Sequence, residues 1–284
     1  LLINVAIFFF LYSQTSVSKE NKYDFIVCGD TEVYILDYNK TKDNIPHITW
    51  QWSALDSELP EDFIIKMLTT DECKPVNEGK QILITSSGGG VVLVDRKTKS
   101  SIFYAQVDNA HSAEFLPNDR IAVAGSTGNK GNCINIYNLH ISDSIIYSDS
   151  LYSAHGVVWD DQHQILYALG YDELRKYSLQ NWNSSSPAMK LIKKIKIQGI
   201  SGHDLNYSFD KDHLILTETN SVWIFNNMEE SYEEYKPLAG YDHVKSVDFH
   251  PETNQLVYIK AEEEWWSNNI YFKNPSKKIY IGNT

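Results

Sequence analysis

The feature that most constrains this chain is an internal repeat. Three segments, AHSAEFLPNDRIAVAGS, AHGVVWDDQHQILYALG and GHDLNYSFDKDHLILTE, share one order: a small residue, a histidine, an alternating strand, a polar turn and an apolar strand. Their histidines are His111, His155 and His203. The first apolar residue of the second strand follows each histidine after ten, ten and eleven residues. The strand and the turn therefore keep a common register from copy to copy.

Weaker copies extend the repeat in both directions. Glu72 takes the histidine position in ECKPVNEGKQILITSSGGGVVLVD, and Lys245 takes it in VKSVDFHPETNQLVYIKAEEEWWSNNIYF. The five starts are 39 to 48 residues apart. A period of about 40 to 50 residues with four short strands is typical of a β-propeller blade. None of the segments has the apolar period of about 3.6 residues that a helical repeat requires.

A sixth blade is indicated by residues 23–59, which hold three more strands, DFIVCGD, TEVYILDYN and HITWQWS. The sequence thus predicts an all-β chain, a six-bladed β-propeller with four-stranded blades. We expect the N- and C-terminal segments to pair and close the ring, because closure leaves no exposed strand edge. Too little chain follows KKIYIGNT to supply the missing inner strand of blade one. The single propeller domain, residues 22–284, is therefore predicted to be truncated at its C-terminus.

Residues 1–21 differ in character from the repeats. An apolar run, LLINVAIFFFLY, is followed by small and polar residues. The run is shorter than the about 20 residues of a membrane span, and it resembles a secretory signal peptide whose basic start is missing, with processing between Ser13 and Ser18. A buried first strand is the alternative interpretation. The segment predicts a secreted or periplasmic protein without a membrane span.

Charge and cysteine content exclude several classes of function. The formal net charge is -12, so a nucleic-acid partner is excluded because phosphate binding needs clustered cations. Cys28, Cys73 and Cys133 are odd in number and cannot form a closed disulfide set. They lack the spacing of zinc ligands and are predicted to be small core residues. An acidic surface rich in aromatic residues suits neutral sugars or cations, and we expect a monomer.

Several blocks carry a family resemblance: NAHSAEFLPNDRIAVA, LYSAHGVVWD, ALGYDELRKY, GHDL and VKSVDFHP, followed by EEEWWS. They resemble an uncharacterised bacterial family of exported six-bladed β-propellers, a domain of unknown function. The resemblance spans roughly Tyr23 to Ile281. It implies the fold, export and a further short strand after the present C-terminus, and it brings no established reaction. WD repeats fit less well, because Trp159 and Asp160 lie in a first strand rather than a third.

The repeat starts are the candidate site. The innermost strand of each blade lines the channel of a propeller, so equivalent starts form a ring at one end. The predicted ligand-binding residues at this channel mouth are Glu72, His111, His155, His203 and Lys245. Titratable groups that converge in a concave mouth are typical of a binding or acid–base site. The alternative is structural: each histidine donates to a carbonyl of the adjoining blade and holds the ring together.

Three functions are compatible with that ring. The preferred one is a binding module for a small molecule or glycan. In the second, His111, His155 and His203 hold a divalent metal ion, which polarises a uronate carboxylate while a histidine or Lys245 removes a proton, as in a polysaccharide lyase or hydrolase. Oligogalacturonate lyases of propeller type are analogous in architecture alone. The third is a protein-interaction scaffold. No GxSxG, HExxH or P-loop motif is present, so enzymatic activity stays open.

Other residues have weaker signals. Gly88, Gly89 and Gly90 are interpreted as a turn between strands. Trp265 and Trp266 are expected in a loop of blade six, where an aromatic pair stacks on a sugar ring or packs between blades. Asp204 and Glu114 lie at odd offsets from His203 and His111. Because side chains alternate along a strand, both are predicted to face away from the histidines.

Overall fold

The structure of the chain is a computed structural model that describes residues 8–9, 24–42, 45–250, 253 and 255–281. The described strands form six antiparallel sheets of four strands each, and within every sheet the strands are neighbours in chain order. The inner strands of successive blades lie side by side around a central channel. The predicted six-bladed β-propeller is confirmed.

The strand bounds follow the blades in order. Blade one consists of β1 (Phe8–Phe9), β2 (Asp24–Gly29), β3 (Glu32–Asp37) and β4 (Ile48–Ser53). Blade two consists of β5 (Thr70–Val76), β6 (Gln81–Ser86), β7 (Gly90–Asp95) and β8 (Ser101–Gln106). Blade three consists of β9 (Ala110–Leu116), β10 (Arg120–Gly125), β11 (Cys133–Asn138) and β12 (Ile145–Ser150).

The second half repeats the same plan. Blade four consists of β13 (Gly156–Asp160), β14 (Ile165–Leu169), β15 (Glu173–Gln180) and β16 (Ala188–Lys196). Blade five consists of β17 (Leu205–Tyr207), β18 (His213–Thr217), β19 (Val222–Asn226) and β20 (Ser231–Glu234). Blade six consists of β21 (Val244–Phe249), β22 (Leu256–Lys260), β23 (Asn269–Lys273) and β24 (Lys277–Tyr280).

Among the described residues, one short α-helix and a few 3-10 turns interrupt the all-β pattern. Helix α1 (Glu61–Ile64) lies between two 3-10 turns, Ala54–Asp56 and Ile65–Met67, in the connection from blade one to blade two. Phe63 and Met67 are buried there against both blades. In the described part of the chain, no helix is long and apolar enough to cross a membrane.

The core is divided among the blade boundaries. Each cluster of buried apolar side chains in the described chain joins two neighbouring sheets. One of them packs Phe25 of blade one against Phe272 of blade six, with ring centroids 5.3 Å apart. Apolar burial thus closes the ring between the first and last blades. The three cysteines are free and buried, as predicted for core residues.

The inner strand of blade one differs from the expected arrangement. We expected it from the C-terminal side, whereas in the structure β1 takes this position. Its backbone pairs Phe8 with Ile26 and Phe9 with Phe25, and it lies beside β5 and β21, the inner strands of blades two and six. The remainder of residues 1–21, including the predicted processing region, lies outside the described residues.

Candidate functional site

Irregular strand starts place the candidate residues at the channel mouth. In β9 and β21 the register shifts at the first residues, which leaves His111 and Lys245 without a paired Cα opposite. In β5 the shift lies between Thr70 and Cys73. Such a bulge adds one residue to a strand and re-aims the side chains around it. The inner strands of blades two, three and six therefore each present an extra side chain where the channel opens.

Blades four and five reach the same arrangement just before their inner strands begin. The backbone N–H of His155 donates to the carbonyl of Leu169, and that of His203 donates to the carbonyl of Thr217. Each histidine is thus fixed to the second strand of its own blade. Its side chain is held at the entrance of the channel, level with His111.

The three imidazoles are brought into mutual contact. Ring centroids lie 4.2 Å apart for His111 and His155, 5.0 Å for His155 and His203, and 6.0 Å for His111 and His203. All three side chains are partly exposed. Side chains from three blades therefore share one solvent-facing cluster at the channel axis.

Asp71 and Lys245 complete this cluster. Asp71 Oδ2 lies 3.5 Å from His111 Nδ1. The charge of Lys245 contributes to lowering the pKa of both His155 and His203, and Asp71 acts on Lys245 in turn. We call the set of Asp71, His111, His155, His203 and Lys245 the histidine mouth.

Glu72 lies one position deeper than the sequence register placed it. Its carboxylate is buried and accepts hydrogen bonds from Ser112 Oγ at 3.0 Å and from the backbone N–H of Ala113 at 2.9 Å. It thereby joins blade two to blade three, and Asp71 is the blade-two residue at the mouth. The sequence holds a signal for this, because Asp71 precedes Ile82 by eleven residues, as His203 precedes Leu214.

In blades three and five too, the residue that directly follows the one in the histidine mouth connects two blades. Ser112 Oγ accepts a hydrogen bond from the N–H of Val157 at 3.1 Å, and Asp204 accepts one from the N–H of Val247 at 2.9 Å. The residues that follow His111 and His203 thus take part in joining the blades. His155 Nδ1 lies 2.8 Å from the carbonyl oxygen of Ser153, in the connection between blades three and four, and 3.4 Å from Ser126 Oγ.

Asp204 and Glu114 lie on the channel side of their strands, as their histidines do, so the expectation that they face the opposite side was wrong. Asp204 acts electrostatically on Glu72 and Lys74, and Glu114 Oε2 lies 3.7 Å from Lys74 Nζ. For Glu114 the physical reason is the bulge at His111 in β9, which shifts the alternation of side chains by one residue.

Burial sets the protonation of the imidazoles. Burial and the charge of His111 lower the pKa of His155 to about 3. Burial and the charge of Lys245 hold the pKa of His203 well below its ordinary value. Both rings are therefore neutral at neutral pH. Since His155 Nδ1 donates to Ser153, its Nε2 is left as a hydrogen-bond acceptor.

The inner layer of the channel contains a buried ammonium among carboxylates. Lys74 Nζ lies 3.3 Å from Glu72 and donates to the carbonyl of Val157 at 2.8 Å. Burial raises the pKa of Glu72 to about 7 against the opposing effect of Lys74. Burial also raises the pKa of Asp204 to about 6. This layer is thus a proton-sensitive network beneath the histidine mouth.

The imidazoles as arranged do not fit one metal ion. Within the described ranges, no group of three or more His, Cys, Asp or Glu side chains is placed to hold a metal. His111 and His155 stack with only 19° between their planes. A metal lies near the plane of each imidazole that binds it, so two stacked rings direct their lone pairs along parallel lines. The divalent metal stays a prediction that requires these rings to turn.

The remaining sequence candidates are placed as loops. Gly88 and Gly89 form the turn between β6 and β7, where Gly89 has a φ of +100. Trp265 and Trp266 lie between β22 and β23, and Trp265 is 54% exposed.

Comparison with known proteins places the chain among β-propellers. The sequence model of a family of unknown function, DUF6528, matches residues 17–282. No functionally curated protein matches the chain. The Cps50 (Swd1) β-propeller domain of Myceliophteria thermophila has a similar structure, with a TM-score of 0.54 and 12% identity over 90% of this chain and 96% of that one. A chain of the mitotic checkpoint complex has a TM-score of 0.57 and 12% identity over 89% and 73%. These likenesses concern the fold alone.

Proposed function

The chain belongs to DUF6528, a family of unknown function, and we propose that it binds a carboxylate-bearing small molecule or glycan at the histidine mouth. The observation that carries this proposal is the contact of three imidazoles beside Lys245 in a partly exposed channel entrance. Concave sites with a few convergent polar groups are typical of ligand binding.

The ammonium group of Lys245 favours a ligand with a negative charge. Burial lowers the pKa of this lysine, and the charge of Asp71 opposes the effect. A partly desolvated ammonium is stabilised by an added anion, because the attraction between opposite charges strengthens away from water. A ligand carboxylate next to Lys245 would supply that anion.

Neutral imidazoles supply the hydrogen bonds that a polar ligand needs. His155 and His203 stay uncharged at neutral pH because their pKa values are lowered. A neutral imidazole has one donor and one acceptor nitrogen, which suits the hydroxyl groups of a saccharide. An acidic sugar such as a uronate therefore matches both the ammonium group of Lys245 and the neutral imidazoles of the histidine mouth.

Binding of glucuronate and galacturonate oligosaccharides, measured by calorimetry, tests the proposal. We expect Lys245→Ala to weaken binding by about tenfold or more, and Lys193→Ala, which changes an exposed lysine of the outer strand β16, to leave it unchanged. Absence of binding to every uronate, or equal losses in both variants, would overturn the proposal. Turnover of a uronate, seen as new ultraviolet absorbance, would replace binding with the lyase alternative.

We also propose that the protein is exported and monomeric. The apolar run in residues 1–21, followed by small polar residues, supports export. Processing between Ser13 and Ser18 would remove β1 from blade one. Mass spectrometry of the N-terminus of protein recovered from outside the cytoplasm tests export, and light scattering tests the monomer. An intact N-terminus in that fraction would contradict processing.

A further inference from the structure

A cavity lies at the end of the channel opposite the histidine mouth. It has a volume of about 540 Å³, within the range of pockets that hold small ligands. It is formed where β5, β9, β13, β17 and β21 end, whereas the histidine mouth lies where these strands begin. We call this cavity the far pocket. The residues of its lining that matter here are Lys74, Glu114, Trp159, Asn206, Phe209 and Asp248.

Three oxygen-bearing side chains are held in place on its floor. Glu114, Asn206 and Asp248 each lie three residues after the mouth position of their blade. One side-chain oxygen of each accepts a hydrogen bond from the backbone N–H of the next residue, at 3.0, 2.9 and 2.7 Å. These local bonds restrict the side-chain rotamers. The floor therefore presents polar groups from three blades in fixed positions.

Aromatic rings form one wall and part of the rim. Trp159 is partly buried, and Phe209 is 54% exposed in the turn between β17 and β18. The ring of Phe209 lies 5.3 Å from that of His213 and 6.4 Å from that of Phe249. These neighbours hold an exposed aromatic face beside the opening. Aromatic faces bury apolar area while neighbouring polar groups remain available.

The charges of the lining disfavour an anion. Five carboxylates line the far pocket, those of Glu78, Glu114, Asp161, Asp210 and Asp248, against the ammonium groups of Lys74 and Lys211. Both lysines already have partners. Lys211 Nζ lies 3.2 Å from Asp161, and Lys74 Nζ lies 3.3 Å from Glu72 and 3.7 Å from Glu114. A ligand carboxylate would meet net repulsion here.

We infer that the far pocket binds a sugar residue that carries no negative charge. The apolar C–H face of a pyranose packs on Phe209 and Trp159, and its hydroxyl groups donate to the oxygens of Glu114, Asn206 and Asp248. The site is separate from the histidine mouth and does not depend on the function proposed there.

Saturation-transfer NMR with methyl glycosides of glucose, galactose and mannose, and with N-acetylglucosamine, tests the inference. Glucuronate serves as the charged counterpart of glucose. We expect at least one neutral sugar to bind at millimolar concentration and Phe209→Ala to weaken it by about tenfold. Phe209→Tyr, which keeps the aromatic face, should retain binding. Trp265→Ala is the matched control, because Trp265 is also 54% exposed but lies in a loop of blade six.

The possible outcomes separate the two sites. Absence of binding by every neutral sugar overturns the far pocket as a sugar site, and so does an equal loss in Phe209→Ala and Trp265→Ala. Glucuronate binding that depends on Phe209 overturns the charge argument. Neutral-sugar binding that depends on Phe209 tests the far pocket, and uronate binding that depends on Lys245 tests the histidine mouth, so failure of one site is distinguishable from failure of the other. Circular dichroism of each variant checks folding.

Discussion

The imidazole of His111 stacks on that of His155, with ring centroids 4.2 Å apart and 19° between their planes. Two stacked imidazoles repel each other when both are protonated, and burial already disfavours the charged form of His155. The contact therefore requires at least one neutral ring. This makes the histidine mouth sensitive to acid.

The first prediction concerns acid stability. The pKa of His155 is about 3 in the folded protein and about 6.5 when unfolded. Between about pH 3 and pH 6.5 the unfolded chain binds more protons than the folded one. The contribution of His155 to the free energy of unfolding, which is complete above about pH 6.5, is therefore lost as the pH falls toward 3. We expect His155→Asn to reduce this loss. Urea unfolding at several pH values measures it, and an unchanged pH dependence in the variant would contradict the assigned pKa.

The second prediction separates Asp71 from Glu72. Removal of Glu72 leaves the backbone N–H of Ala113 without its acceptor. It also removes a carboxylate that lies 3.3 Å from the buried ammonium group of Lys74. We expect Glu72→Ala to lower the free energy of unfolding by about 3 kcal/mol. Asp71 lies 3.5 Å from His111, a longer contact than the hydrogen bonds of Glu72, so Asp71→Ala should lower the free energy of unfolding by less than Glu72→Ala. Chemical denaturation gives both free energies of unfolding. A larger loss for Asp71→Ala than for Glu72→Ala would contradict the assignment of Asp71, rather than Glu72, to the histidine mouth.

The fold was predictable because the spacing between the first and second strands is nearly constant in five of the six blades. The spacing from each start to the second strand located five of the inner strands and placed His111, His155, His203 and Lys245 at one end of the channel. It placed Glu72 one residue off because the spacing depends on the bulge and on the turn length together. Blades two and three both have a bulge, but the turn has four residues between Val76 and Gln81 and three between Leu116 and Arg120. The inner strand of blade one lies outside the repeat, so the repeat could not locate it.

The far pocket left no comparable signal in the sequence. Its floor positions are occupied by Lys74, Glu114, Val158, Asn206 and Asp248, which share no chemistry. Side-chain alternation counted from His111 also assigned Glu114 to the wrong face. Only the assembled ring shows that the ends of five strands and their turns enclose one cavity. When the equivalent positions of different blades hold different residue types, the site they form is recognised from the structure and not from the sequence repeat.

The third prediction uses the raised pKa of Glu72. Its folded value is about 7, because burial disfavours the carboxylate, against about 4.3 in an unfolded chain. The folded protein thus binds the additional proton, and its stability falls as the pH rises through this window. A glutamine does not titrate. We expect the stability of Glu72→Gln relative to the unmodified protein to rise from about pH 4.5 to about pH 7.

A matched control for this variant is Glu78→Gln, which changes an exposed glutamate of blade two whose pKa is lowered by its hydrogen bond with Lys80. Its stability relative to the unmodified protein should not rise over the same range. Thermal melts across the pH series provide the comparison. A constant difference between Glu72→Gln and the unmodified protein would show that Glu72 is ionised throughout.

The fourth prediction concerns Gly156, which occupies the position where Glu72, Ser112 and Asp204 connect blades. A Cβ added there would lie 2.5 Å from Cβ of Leu205 and 3.2 Å from its backbone N. Blades four and five approach too closely for any side chain, so their contact depends on the glycine. We expect Gly156→Ala to lower stability by about 1–3 kcal/mol through overpacking. Because Gly156 follows His155 directly, the shift should also move the imidazole ring and alter its NMR titration. A variant with an unchanged melting temperature and an unchanged His155 signal would show that the two blades separate freely.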